Sequence, residues 1–304
     1  MTLLALVGPT ASGKTEAGIA LAERLAAEIV SVDSMLVYRR MDVGTAKPTT
    51  AQRARVPHHL LDVAEPGETF SVARFQELAR AAVDDIERRG RRPLLVGGSG
   101  LYFRAVVDGL DFPGTDPEVR RELETEAVAV GARPLHDRLR SFDPAAAGKI
   151  EPANVRRTVR ALEVAAVTGR PFSSYAEAWE EFPAGRVRAA GIGMDPAVLR
   201  ERIEGRIRHM VAAGFVEEVR ALVADGLGPS LTASQAIGYA EMVHHLAGRI
   251  SLEDAVASTV KRTRALARRQ MAWFRRDPRI RWFPVGPEGA KAVVDDLLEH
   301  YGDG

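Results

Sequence analysis

Leu3-Leu-Ala-Leu-Val-Gly-Pro-Thr-Ala-Ser-Gly-Lys-Thr15 is the stretch from which the fold can be read. Leu3 to Val7 is a short apolar run, long enough for a buried strand. Gly8, Pro9, Thr10, Ala11, Ser12, Gly13, Lys14 and Thr15 then fill the Gly-x-x-x-x-Gly-Lys-[Ser/Thr] pattern at every fixed position. Beyond Lys14, the apolar residues Ile19, Leu21, Ala22 and Leu25 fall at helical spacing. Strand, loop and helix in this order make a phosphate site: successive N–H groups turn inward, and the helix adds its positive end. Gly8 and Gly13 let the backbone approach an anion closely. Lys14 is placed to reach the terminal phosphate, and the Thr15 hydroxyl to ligate Mg²⁺. The chain has five lysines against 37 arginines, so a lysine at this position points to a need for a compact ammonium. The bland alternative is a glycine-rich turn without a ligand.

Working outward, Glu28-Ile-Val-Ser-Val-Asp33 reads as a second strand ending in a carboxylate. In open parallel sheets ligands bind beyond the carboxyl ends of the strands, so Asp33 is expected to face the same cleft as the phosphate loop. His58 and His59 lie in a turn-like stretch and are read as a structural or substrate-facing loop rather than a metal pair. Ser71 caps a helix running to about Glu87. Pro93-Leu-Leu-Val-Gly-Gly98 is a third strand, Gly97, Gly98 and Gly100 form a second glycine-rich strand end, and Leu101 to Val107 starts another helix. This alternation predicts an α/β fold, a P-loop NTPase-like parallel sheet flanked by helices.

The rhythm stops near Asp111. From Pro113 to Pro183 the pattern is helical only, with helices expected at Glu118 to Val130, Pro134 to Arg140 and Val155 to Val167. The expected domains are therefore 1–112 with 186–304 as the α/β core, and 113–185 as an all-helical insertion. Arg156, Arg157 and Arg160 share a helix face, and Tyr175 and Trp179 are one turn apart. Spacing leaves a nucleic-acid lid and a solvated basic face with two core aromatics equally open. Arg188 to Met194 reads as a returning strand, followed by a helix from Val198 to Ala213 that carries Arg202 and Arg206 on one side. Shorter helices are expected at Val216 to Val223 and Tyr239 to Leu246. A long helix, Leu252 to Arg276, opens a stretch from Lys261 to Arg281 with nine basic residues and one acid, Asp277. Acids at i±4 are missing and Trp273 and Phe274 interrupt the run, which favours nucleic acid over a merely solvated face. Arg281 to Val285 reads as a last strand and Ala290 to Tyr301 as a terminal helix.

Composition narrows the class. The 304 residues are 46% hydrophobic and 27% charged, as in soluble globular proteins, and the net charge of +1 argues for no partner by itself. With no cysteine, disulfides, thiol nucleophiles and cysteine zinc sites are excluded. No apolar stretch approaches a membrane span, and the initial run is too short for a signal peptide. A cytoplasmic monomer without membrane contact is expected.

A phosphate loop states only that a polyphosphate binds. There is no Asn-Lys-x-Asp guanine motif, and the third strand ends in Gly97-Gly98 where an ATPase would carry an acid. A small-molecule kinase with ATP in the loop, and a non-catalytic RNA-binding module, remain open at this level.

Seven blocks decide further. Gly8 to Thr15, Asp33-Ser-Met-Leu-Val-Tyr-Arg-Arg-Met-Asp-Val-Gly-Thr-Ala-Lys-Pro48, Phe70-Ser-Val-Ala-Arg-Phe75 and Val96-Gly-Gly-Ser-Gly-Leu-Tyr102 occur in this order. They are followed by Asn154-Val-Arg-Arg-Thr-Val-Arg-Ala-Leu-Glu-Val164, Ala236-Ile-Gly-Tyr239 and Thr263-Arg-Ala-Leu-Ala-Arg-Arg-Gln-Met-Ala-Trp-Phe274. Over nearly its whole length the chain resembles the tRNA dimethylallyltransferase family. One departure is Ser99, where that family more often has threonine. The resemblance implies transfer of a dimethylallyl group from dimethylallyl diphosphate to N6 of the adenosine next to the anticodon, position 37, in tRNAs reading codons that begin with U. It implies that the loop grips the departing diphosphate with Mg²⁺ at Thr15, that Arg206 and Arg202 add to the clamp, that Asp33 is the general base, and that Lys14 and Ser99 sit at the reacting centre. It further implies tRNA contacts at Asp33, Ser34, Met35 and Leu36, and at Arg156, Arg157, Thr158, Val159 and Arg160, with the anticodon stem-loop as the bound element.

Overall fold

The computed structural model describes residues 2–175, 181–183, 185, 187–228 and 232–302; Trp179 lies outside them. The chain forms two compact units, Met1–Gly109 with Ala184–Gly304, and Leu110–Pro183.

The first unit begins with β1 (Leu3–Val7), α1 (Lys14–Leu25), β2 (Ala27–Ser31), α2 (Thr50–Arg55), β3 (His58–His59), α3 (Val72–Arg88), β4 (Arg92–Gly97) and α4 (Gly100–Val107). The second unit supplies α5 (Pro117–Val130), α6 (Ala132–Phe142), α7 (Pro144–Lys149) and α8 (Val155–Thr168). The chain then returns with β5 (Val187–Met194), α9 (Pro196–Ala212), α10 (Phe215–Ala224), α11 (Tyr239–Leu246), α12 (Leu252–Phe274), β6 (Ile280–Val285) and α13 (Val294–Gly302).

The six strands form one sheet in the order β3-β2-β4-β1-β5-β6, and every pairing is parallel. Because both faces of such a sheet are covered by helices, a central strand is apolar on both sides. Leu4, Ala5, Leu6 and Val7 of β1 are accordingly sealed from solvent. The core divides about the sheet. Leu4, Leu6, Ile19, Leu21, Leu94 and Leu297 pack on one face, and Ala5, Val7, Val30, Leu95, Phe75 and Phe103 on the other. The carboxyl ends of β1, β2 and β4 lie together, and all carry irregular backbone: the phosphate loop, the Val32 to Thr49 segment, and Gly98-Ser99.

Several boundaries differ from the sequence reading. The second strand stops at Ser31, leaving Asp33 beyond its end. His58 and His59 form a two-residue edge strand, with His58 opposite Ile29 and His59 opposite Val30. His59 meets the buried Glu28 carboxylate at 2.8 Å, so the pair is structural. Helices α2 and α7 span six residues each, too short for periodicity to reveal. The last helix is preceded by a 3₁₀ turn, Ala290–Val293, and α12 ends at Phe274, two residues earlier than its charge pattern suggests.

Gly98 and Gly100 have a packing reason that strand-end chemistry does not supply. A Cβ at Gly98 would lie 2.4 Å from Gln270 Nε2, and one at Gly100 would lie 1.9 Å from Trp273 Cδ1. Two side chains of α12 thus press directly on backbone. Gly100→Ala is expected to destabilise the fold by about 2–3 kcal/mol through this overpacking, measured as a lowered urea midpoint; an unchanged midpoint would contradict the packing described.

In the second unit Leu123, Leu135, Leu139, Ile150, Val159 and Leu162 make a separate core. Glu163 is fully buried there. It accepts hydrogen bonds from Asp116 N, Arg120 and Arg160, so its charge is paired, as a buried carboxylate requires.

Candidate active site

A cavity of about 1070 Å³ opens at the carboxyl ends of β1, β2 and β4. Its floor is the phosphate loop, Thr10 to Thr15. Among the described residues, the N–H groups of Ala11, Ser12, Gly13, Lys14 and Thr15 donate to no protein acceptor. Unsatisfied amides at a helix N-terminus form a seat for an anion.

The outside of the loop is braced from three directions. Gln270 Oε1 of α12 accepts from Thr10 N at 2.8 Å. Ala290 N donates to Ser12 O at 3.1 Å. Arg202 of α9 donates from Nε to Ala11 O at 2.9 Å and from Nη1 to Pro287 O at 2.6 Å. Gly8 and Gly13 have φ of 148° and 89°, and the Gly13 position is the helix cap itself. A Cβ on Gly8 would meet Ile192 O at 2.9 Å. Inside the loop, Ser12 Oγ and Lys14 Nζ both donate to Pro9 O. Burial, together with the nearby Arg206 charge, brings the Lys14 ammonium down to about 7 against the opposing pull of Asp33.

Asp33 lines the same cavity. Its Oδ1 accepts from Met35 N at 2.9 Å, the local turn expected of an aspartate after a strand. Among the described residues Oδ2 has no protein partner. Asp33 also lies within electrostatic range of Lys14, Arg206 and Tyr102. Arg206 faces the cavity, with Nη1 at 3.5 Å from Thr10 Oγ1 and Nη2 at 3.4 Å from Thr45 O. Both contacts are long. Burial lowers its guanidinium pKa, and Asp33 opposes that. Arg206 is therefore a half-buried cation whose donors are only weakly engaged, whereas Arg202 has already committed Nε and Nη1 to two carbonyls.

Other expected positions fall out differently. Ser99 N-caps α4, its Oγ accepting from Tyr102 N at 3.5 Å, and Gly97 and Gly98 line the cavity rather than Ser99. Leu36 lines the cavity; Ser34 and Met35 are half-buried beside it. In α8, Arg156 and Arg157 are exposed, but Thr158 and Val159 are buried, at 0% and 3% exposure. The Thr158 hydroxyl donates to Asn154 O. Arg160 is turned onto Glu163 and the carbonyls of Pro113 and Gly114. The surface of this stretch therefore reduces to Arg156 and Arg157, because Thr158 and Val159 point into the helical core. Tyr175 lies under the Arg170 guanidinium at 4.7 Å.

The basic stretch is also less uniform than its sequence. Arg262 pairs with Glu241, Arg264 with Glu204, and Arg279 with both Asp277 and Asp108. Glu241 and Glu204 sit on other helices and Asp108 at the end of α4, out of view of an i±4 search, and only Asp277 is a sequence neighbour of its partner. Lys261, Arg268, Arg269, Arg275 and Arg276 are exposed and have no acid partner among the described residues. The sequence reading missed Gln270, whose contact with Thr10 spans 260 positions; Gly98, against which it packs, was the available signal.

The geometry thus unites an anion seat, a buried amine, a half-buried guanidinium, and a carboxylate with one unengaged oxygen. Such a site can hold a diphosphate and accept a proton near it. Comparison with known proteins gives the family. Residues 36–277 match the IPP transferase family model and residues 1–65 the isopentenyl transferase model. The tRNA dimethylallyltransferase of Salinispora arenicola is 53% identical over 296 residues, spanning 97% of this chain and 85% of the relative. That of a Nocardioides species is 51% identical over 301 residues, spanning 98% and 97%. The crystal structure of the tRNA isopentenylpyrophosphate transferase from Bacillus halodurans superposes with a TM-score of 0.72 at 40% identity, covering 99% of this chain and 95% of that one.

Proposed function

The chain belongs to the IPP transferase family, and from that premise we propose that its cavity is where an allylic diphosphate meets the exocyclic amine of a tRNA adenosine. The activity is dimethylallyl transfer to the adenosine at position 37 of tRNA. The kinase and the non-catalytic RNA-binding module left open by the phosphate loop are thereby set aside. The observation that supports this use of the site is the meeting of unsatisfied loop amides, Arg206 and the unengaged Asp33 Oδ2 in one cavity.

The allylic C–O bond breaks with cation character at carbon, and its electron pair stays on the departing diphosphate. The loop amides, Lys14 and Arg206 are aimed at that growing charge. The adenine N6 lone pair forms the new C–N bond. It is weakened by delocalisation into the ring, so the proton must leave as the bond forms, and Asp33 Oδ2 takes it. The base is swung out of its stack to reach the cavity, with Leu36 at the wall and Arg156 and Arg157 holding the backbone of the anticodon stem-loop.

Mg²⁺ fits the donor set. Among the described residues no group of three His, Cys, Asp or Glu side chains is arranged around a metal. The Thr15 hydroxyl lines the cavity, which suits an ion that takes most of its ligands from phosphate oxygens and water. Thr15 would hold it, and once bound it would neutralise part of the leaving diphosphate.

The deciding assay incubates unmodified tRNA with dimethylallyl diphosphate and Mg²⁺ and reads the anticodon-loop nucleosides by mass spectrometry. One dimethylallyl group on N6 beside the anticodon of tRNAs reading codons that begin with U is the expected product. Label moving from γ-labelled ATP to an acceptor would instead favour a kinase.

Lys14 adds a pH prediction. In the folded protein this amine loses its proton near pH 7, whereas the unfolded chain holds the proton to the ordinary lysine range. This penalty on the folded state is full below pH 7 and disappears as pH rises toward that range. Anion binding reverses the loss and takes up a proton. Affinity for dimethylallyl diphosphate without tRNA is therefore expected to fall, by up to roughly tenfold per unit, from about pH 7.5 to 9. Calorimetry in buffers of different ionisation enthalpy measures the uptake, and a flat profile with no uptake contradicts it.

A further inference from the structure

The Asp42 to Lys47 segment lines the cavity beside Arg206, yet its backbone belongs to no helix or strand. The segment closes its own turn through Ala46 N to Val43 O and Lys47 N to Asp42 O, and one carboxylate from α10 fixes its leading amides. Glu218 Oε2 accepts from Asp42 N at 2.9 Å and from Val43 N at 2.7 Å. Glu218 Oε1 accepts from Gly44 N at 3.1 Å and from the buried Tyr239 hydroxyl at 2.6 Å. Three consecutive amides converge on one anion, a backbone nest filled from within the protein. Behind it there is no slack: a Cβ on Gly44 would come within 2.0 Å of the Phe215 ring and 2.7 Å of Tyr239. The next residue is Thr45, whose carbonyl accepts from Arg206 Nη2.

We propose that Glu218 is a positioning residue for the transfer reaction, holding the Asp42–Gly44 amides so that the Thr45 carbonyl aims the Arg206 guanidinium at the diphosphate. The inference rests on the reading of Arg206 as a diphosphate contact. A glutamine at 218 keeps the shape but replaces one acceptor oxygen by a donor. The four donors then face a single oxygen, and at least one amide of the segment is left without a partner.

The test titrates dimethylallyl diphosphate with Mg²⁺ into wild type, Glu218→Gln, Arg206→Ala and the double variant. Near-UV circular dichroism verifies folding, and tRNA affinity is measured in parallel. The expected result is a 10- to 100-fold weaker diphosphate Kd in Glu218→Gln, on the order of the loss seen when a group orienting a binding residue is removed. Affinity for tRNA stays within about threefold, and Glu218→Gln adds less than about threefold in the Arg206→Ala background. An equal loss in both backgrounds marks a merely structural role and overturns the inference, as does an unchanged Kd. If Arg206→Ala itself leaves the Kd unchanged, the reading of Arg206 and the inference fall together; if only Glu218→Gln is silent, the inference alone falls. Should Glu218→Gln not fold, Tyr239→Phe removes one bond from the same carboxylate. A loss of about threefold or more, absent when Arg206 is alanine, then supports the proposal, and no loss overturns it.

Discussion

Asp33→Asn is expected to lower kcat by about 10²- to 10⁴-fold, the range for removing a general base, while the Kd values for tRNA and for dimethylallyl diphosphate stay within about threefold of wild type. The amide keeps the side chain's volume, and its oxygen can still accept from Met35 N, the bond that fixes the turn after β2. What changes is the atom at the Oδ2 position, which becomes a donor and cannot take the N6 proton. Any loss of binding should be small, because the asparagine removes a negative charge beside Lys14 and Arg206 and the site becomes more attractive to an anion. A slightly tighter diphosphate with almost no turnover is the signature of a base; full turnover would refute the assignment. Loss of activity with a matching loss of diphosphate affinity would place Asp33 among the metal's outer partners instead. Single-turnover kinetics with saturating substrates separate these outcomes, since only the first slows the chemical step alone.

The parts of this site that sequence made visible are those built from local order. The phosphate loop is one contiguous stretch, so its glycines, lysine and threonine could be read in place. Asp33 was reachable because a parallel sheet puts its strand ends on one side, although the strand itself ends two residues before it. The contacts that hold the loop rigid come from far away and carry no local period. Gln270 and Arg202 reach it across 260 and 191 positions, and Glu218 reaches the 42–44 segment across about as wide a gap. Charge counting failed for the same reason. Arg262 and Arg264 look unpaired along their own helix, and find Glu241 and Glu204 only when α11 and α9 pack against it. In α8 the basic pattern pointed to a surface, but helical geometry gave Thr158 and Val159 to the core.

Lys14→Ala is the second variant with a large expected effect, about 10²- to 10³-fold in kcat, comparable to losing one donor to a developing oxyanion. The ammonium lies inside the loop and donates to Pro9 O in the structure, already held where the diphosphate charge will grow. Because burial makes its charged form costly, the anion's arrival and then its added charge in the transition state repay progressively more of that cost. The loss should therefore fall more on kcat than on the diphosphate Kd, which the loop amides and Arg206 continue to support. Lys14→Arg separates charge from fit. A guanidinium keeps the cation but is planar and larger. The loop that must admit it is pinned on its outer side by Gln270, Arg202 and the Ala290 amide, and has little freedom to widen. Arg is accordingly expected to recover less than about a tenth of the lost rate. Recovery to near wild type would show that any positive charge suffices, and would remove the reason for a lysine in a chain that elsewhere prefers arginine.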